Sequence, residues 1–130
     1  MVADRMAEGK TRCGGRRVLI VDDNPDLAKS LAMLLQLLGY DADFALSGSE
    51  GLSKAEAQTP DVVVLDLCMA GMDGLAVARR LRQTFADRVR LVAWTGLDSP
   101  EDLRRCLDAG FDRHFVKPAD LDQLERALRA

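Results

Sequence analysis

Two four-residue runs, Val18 to Val21 and Val62 to Leu65, are apolar at every position, and each ends in an aspartate. A strand with one wetted face alternates apolar and polar residues, whereas a strand covered on both faces reads as a continuous apolar run. Two such strands in one short chain require a sheet sandwiched between other elements. The surrounding sequence supplies those elements as helices. "NPDLAKSLAMLLQLLG" follows the first run, with Asn24 as cap, Pro25 at the first helical position and Gly39 as stop. Leu27, Leu31, Leu34, Leu35 and Leu38 fall at helical spacing and predict one apolar face.

The alternation continues to the end of the chain. "YDADFAL" predicts a second strand and "GSEGLSKAEAQ" a polar helix ended by Thr59-Pro60. "DVVVLD" is the third strand, followed by a loop to Asp73 and the helix "GLAVARRLRQTF". "VRLVAWT" is the fourth strand; Ser99 and Pro100 open the next helix and Gly110 follows its end. "DRHFV" is the fifth strand, and "DLDQLERALRA" is a final helix with Asp120 and Gln123 spaced as a capping box. Five strand-then-helix units predict an α/β fold: a single doubly wound, five-stranded parallel sheet with five helices. The polar, glycine-rich residues 1–15 are expected to be a flexible N-terminal tail, with the domain spanning 16–130.

Composition narrows the function classes. The 130 residues amount to one domain, and a 48 % hydrophobic fraction can fill one core. Against 21 acidic residues stand 18 basic ones, and a net charge of −3 predicts no nucleic-acid binding; no apolar run approaches the roughly 18 residues of a membrane span, which predicts no membrane association. Cys13, Cys68 and Cys106 are scattered and no export signal precedes them, which predicts reduced thiols in a cytoplasmic protein. His114, the single histidine, has no partner at zinc-ligand spacing.

In open parallel sheets, ligands sit beyond the carboxyl ends of the strands. Strand one delivers Asp22 and Asp23 there, strand three Asp66, strand four Thr95-Gly96, and strand five Lys117-Pro118. Each feature alone is ordinary turn or cap chemistry; their convergence on one edge points to a site. Three crowded carboxylates repel one another, and one lysine offsets a third of their charge. A hard divalent cation relieves that repulsion, and Mg²⁺ suits a few carboxylates plus water and a phosphoryl oxygen. A hydroxyl, an ammonium and strand-end amides then complete what a transferring phosphoryl group needs. A carboxylate can itself be the nucleophile, through an aspartyl phosphate.

"VLIVDDNPD", "VVVLDLCMAGMDGL", "LVAWTG" and "HFVKP" resemble the receiver domain of two-component response regulators, in order and spacing, over residues 16–130. The resemblance implies that Asp66 is the phosphoacceptor and that Asp22, Asp23 and Asp66 hold Mg²⁺ with the main-chain carbonyl of Cys68. It implies that Thr95 hydrogen-bonds the phosphoryl group, that Lys117 pairs with it, and that Gly96 leaves room beside it. Thr95 and His114 would form the switch, His114 standing where the family usually has tyrosine or phenylalanine. Ala70 in place of a proline and Cys68 in place of a commoner polar residue are further departures; none removes a group the chemistry needs.

The implied partners are a sensor histidine kinase or a histidine phosphotransfer protein, and a target that reads the fourth helix, fifth strand and final helix. The protein is expected to be no enzyme, though it would assist its own phosphorylation and dephosphorylation. With nothing after the last helix, the expectation is a stand-alone receiver or a piece of a hybrid kinase. A haloacid-dehalogenase-like phosphatase would need a second aspartate where Cys68 stands. A flavin or nucleotide binder would need a glycine-rich loop after strand one. An unphosphorylated interaction module would not need the intact site set. Cys106 is read as a small buried filler, and Arg79, Arg80 and Arg82 as a solvated helix face.

Overall fold

The computed structural model describes residues 16–67, 74–95 and 100–116; Cys68, Gly96, Ser99, Lys117, Pro118 and the expected final helix lie outside the described residues. Five strands are present among them: β1 (Arg17–Val21), β2 (Asp41–Ala45), β3 (Val62–Leu65), β4 (Arg90–Thr95) and β5 (Arg113–Val116). Helices α1 (Pro25–Leu37), α2 (Gly48–Ala57), α3 (Gly74–Phe85) and α4 (Pro100–Ala109) alternate with them, and a short 3-10 turn at Ala86–Arg88 leads into β4. Every pairing is parallel, and the spatial order is β2-β1-β3-β4-β5. The chain order therefore reverses beside β1, and the crevice between the ends of β1 and β3 is the topological switch point.

Both faces of the sheet are covered, as the unbroken apolar strands require. Leu19, Val21, Val63, Leu65, Leu91 and Ala93 point to one side and pack with Ala55 of α2, Val77, Ala78, Leu81 and Phe85 of α3, and Cys106 and Ala109 of α4. Val18, Ile20, Val62, Val64 and Val92 point to the other and pack with Ala28, Leu31, Ala32 and Leu35 of α1. The strict alternation of odd and even positions is the two-residue period of the pleat. Cys106 is buried as expected.

The helix starts follow their caps. Asn24, in extended backbone, accepts a hydrogen bond from the Leu27 amide, and Pro25 stands at the first helical position, where a missing N–H costs nothing. At α2, Ser47 accepts from the Glu50 amide while Glu50 accepts from the Leu46 amide, which orients the helix entry from both sides. Gly39, with φ at 99°, turns the chain out of α1.

Two expectations need correction. The buried stripe of α1 contains Leu31 and Leu35 but is completed by Ala28 and Ala32, while Leu34 and Leu38 are substantially exposed. Small alanines let α1 approach the tightly spaced valines of β1 and β3; a leucine count alone placed the stripe one row too far round. Arg82 is not part of a solvated face. Its guanidinium donates to the carbonyls of Gly110, Ala86 and Val89, at 2.9, 2.7 and 2.5 Å, and to Asp112 at 2.7 Å. Asp112 also accepts from the Leu91 amide at 2.8 Å. One side chain thus ties the end of α3 to the end of α4 and the start of β4, at the sheet edge opposite the aspartates.

Candidate functional site

The strand register carries the acidic residues to one place. Val21 pairs with Leu65, so Asp22 and Asp66 leave adjacent strands side by side, and the Asp66 amide donates to the Val21 carbonyl at 3.0 Å. The Asp22 amide donates in turn to the Ala45 carbonyl of β2 at 3.1 Å, and an Asp22 carboxylate oxygen accepts from the Asn24 amide at 3.0 Å. Asp22 is therefore held through both its backbone and its carboxylate before it meets any ligand. Asp22 and Asp66 are buried and Asp23 is exposed. One oxygen from each of the three carboxylates lies within 4.8 Å of the others.

That spacing suits a small hard cation. Oxygens on opposite sides of an octahedral Mg²⁺ stand about 4.2 Å apart, given metal–oxygen distances near 2.1 Å. Three carboxylate oxygens that all lie within 4.8 Å of one another can close on such an ion through small side-chain movements, with the exposed Asp23 able to swing in or to bind through water. Two buried acids and one wet one also leave an open side for an incoming anion.

The remaining expected residues are placed only in part. Ala93 pairs with Leu65, so Thr95 ends β4 at the same edge, one residue beyond the level of Asp66. His114 pairs with Ala93 on β5. The side chains of Thr95 and His114, and all of Cys68 and Lys117, lie outside the described residues. Trp94, the sole tryptophan, is half-buried immediately before Thr95.

One residue of the site went unread in the sequence. Gly74 opens α3, and a Cβ there would stand 2.6 Å from the Asp66 carbonyl oxygen and 2.7 Å from the Leu67 Cα. Both neighbours are backbone and cannot rotate away. The helix start thus presses directly on the peptide that carries Asp66, which only a residue without a side chain allows. The signal was the Asp73-Gly74 pair preceding an amphipathic run, which reads as an ordinary loop end until the distance is known.

A parallel α/β domain with a carboxylate cluster at its switch point is the architecture of receiver modules. The sequence profile of the response regulator receiver domain matches residues 18–129. Response regulator MprA of Mycolicibacterium vanbaalenii is 39 % identical over 114 residues, which cover 88 % of this chain and 49 % of that protein. Among solved structures, a CheY-like receiver domain protein of Methanospirillum hungatei superposes with a TM-score of 0.82 at 26 % identity, covering 88 % of this chain and 90 % of that one. The response regulator TrrA of Thermotoga maritima, solved in complex with Mg(2+)-BeF, gives 0.78 at 32 % identity, with 88 % and 96 % covered.

The chain belongs to the response regulator receiver domain family and has the CheY-like, flavodoxin-like fold. It is the receiver domain of a two-component response regulator, and the phosphatase alternative is not favoured. It spans about half the length of the MprA relative it matches. Among the described residues no helix is long and apolar enough to cross a membrane.

Proposed function

We propose that Asp66 accepts a phosphoryl group from a phosphohistidine, and that the domain, residues 16–130, passes this on as a change of surface. The observation that carries the reading is the carboxylate trio at the end of the central strands, with Asp66 buried immediately after β3 and one of its oxygens within 4.8 Å of an oxygen of Asp22 and of Asp23. Asp22, Asp23 and Asp66, with the Cys68 carbonyl, would hold Mg²⁺, which when bound neutralises the trio and admits an anion. An Asp66 oxygen attacks phosphorus as the phosphorus–nitrogen bond to imidazole breaks, and the imidazole nitrogen picks up a proton. Lys117 pairs with the transferred group and Thr95 donates a hydrogen bond to it, both stabilising its charge.

Thr95 and His114 then relay the event, since β4 and β5 are paired over Thr95 and Val116. The switched surface is α4, β5 and the expected final helix. The donor is a sensor histidine kinase or a histidine phosphotransfer protein, and the domain acts as substrate and switch, assisting its own loading and loss of phosphate.

The test is phosphate loading from a small phosphodonor, with and without Mg²⁺, read by intact mass. Asp66→Asn should load nothing. Equal Mg²⁺-dependent loading of that variant would place the acceptor elsewhere and end this reading.

A further inference from the structure

Helix α4 is held unevenly along its length. From Pro100 to Arg105 no side chain is buried; the buried ones, Cys106 and Ala109, lie in its second half, and Phe111 follows them into the core. A segment with few buried apolar contacts is one that moves readily. The start of the helix is thus lightly packed, and its far end carries the packing.

That far end is also fastened by polar contacts. The Gly110 amide donates to the Leu107 carbonyl at 3.1 Å and the Phe111 amide to the Cys106 carbonyl at 3.0 Å, which closes the helix. Arg82 reaches across from α3, donating to the Gly110 carbonyl and to Asp112 while its other bonds hold the Ala86 and Val89 carbonyls. Its stem lies so near Gly110 that a Cβ there would meet the Arg82 Cγ at 2.7 Å. Asp112 is bound in turn to β4: its carboxylate accepts from the Leu91 amide at 2.8 Å, and its own amide donates to the Leu91 carbonyl at 2.8 Å. Ala86, with φ at 54°, is in a strained conformation that persists only where the surroundings over-determine the backbone. The end of α3, the end of α4 and the residue before β5 are therefore pinned to the start of β4 at one point.

We propose that Arg82 is a positioning residue for the switch, and that its clasp is the fixed pivot about which α4 and β5 respond to phosphorylation. The inference rests on the reading that α4 and β5 belong to the switched surface. The clasp at Leu91 lies about 13 Å from Thr95, four residues along β4. Helix α4 has ten residues and is about 15 Å long, so a movement of about 1 Å at Pro100 is a tilt of about 4° around a still Ala109. A close-packed helix end transmits such a push as a rigid body. With the clasp released, the unpinned end slides, and the push is dissipated along the helix.

The experiment compares amide signals of the full chain in Mg²⁺ alone and in Mg²⁺ with saturating beryllofluoride. In wild type the shifts should be largest from Glu101 to Arg104 and about threefold or more smaller from Ala109 to Asp112, where the packing lies. Arg82→Ala should flatten that gradient, with the shifts from Ala109 to Asp112 rising to match those at the start of the helix. Asp112→Asn keeps an oxygen for the Leu91 amide and removes only the charge facing Arg82. It should flatten the gradient partway, and it serves as the test if Arg82→Ala does not fold. A purely structural tie would lower the melting temperature of both variants and leave the gradient as in wild type. That result, or a wild-type response as large from Ala109 to Asp112 as from Glu101 to Arg104, overturns the proposal. A response confined to Asp22, Asp66 and Leu67, with α4 and β5 silent, ends the switched-surface reading itself and the pivot with it.

Discussion

Gly74→Ala converts a single methyl group into a displacement of the phosphoacceptor strand end. The added Cβ would stand 2.6 Å from the Asp66 carbonyl oxygen and 2.7 Å from the Leu67 Cα, where ordinary contact begins at 3.4 Å. Relief therefore needs a movement of about 0.7–0.8 Å, and it must be shared between α3 and the Asp66–Leu67 peptide, since neither is a rotatable side chain. A misplacement of about 1 Å can cost roughly 100-fold in a reaction that depends on alignment. We expect loading from acetyl phosphate with Mg²⁺ to slow about 10- to 100-fold. Stability should change less. Overpacking costs about 1–3 kcal/mol, and replacing glycine with alanine in a helix returns up to about 1 kcal/mol. Loading followed on a phosphate-affinity gel, with urea unfolding of the same protein, separates the two effects. Gly51→Ala is the control. Its Cβ would meet the Val21 side chain at 2.8 Å, a stiff buried group but not the Asp66 backbone, so stability should fall while loading stays within about threefold of wild type. Loading of Gly74→Ala within twofold of wild type would refute the claim that the start of α3 positions Asp66.

Other expectations concern the opposite edge, the core and the switch. Arg82→Ala removes four hydrogen bonds, one of them to a carboxylate, from a side chain 22 % exposed. The loss should be about 2–4 kcal/mol by chemical denaturation, and a loss under 1 kcal/mol would mean water replaces the guanidinium freely. Burial pushes the Cys106 thiol above its ordinary pKa, with the Asp102 carboxylate adding to the effect. Below the unfolded value, near 8.5, both states keep the proton; above it the unfolded chain loses it first, so stability should fall as pH rises past that point. Cys106→Ala should flatten that slope, and an unchanged slope would assign it to other groups. Lys117→Ala should load phosphate at least partly yet blunt the beryllofluoride-induced shift of α4 and β5 amide signals. Wild-type behaviour in both would reduce Lys117 to a loop residue.

Much of this protein is legible from the chain alone because its determinants are local or periodic. The apolar runs Val18–Val21 and Val62–Leu65 specify doubly covered strands wherever they pair. Asn24-Pro25 and Ser47 with Glu50 mark helix starts through hydrogen bonds spanning three residues. Asp22, Asp23 and Asp66 could be assigned to one edge because parallel strands all end on the same side. What the tertiary structure decided are matters of distance between segments remote in sequence. Register brings the three carboxylates within 4.8 Å, and a helix start presses Gly74 on the Asp66 backbone. Packing against closely spaced valines, and not hydrophobicity, chose Ala28 and Ala32 over Leu34 and Leu38 for the face of α1. Arg82 reads as a surface charge because its acceptors at Gly110 and Asp112 lie about thirty residues away, and only the folded sheet edge brings them within hydrogen-bond reach.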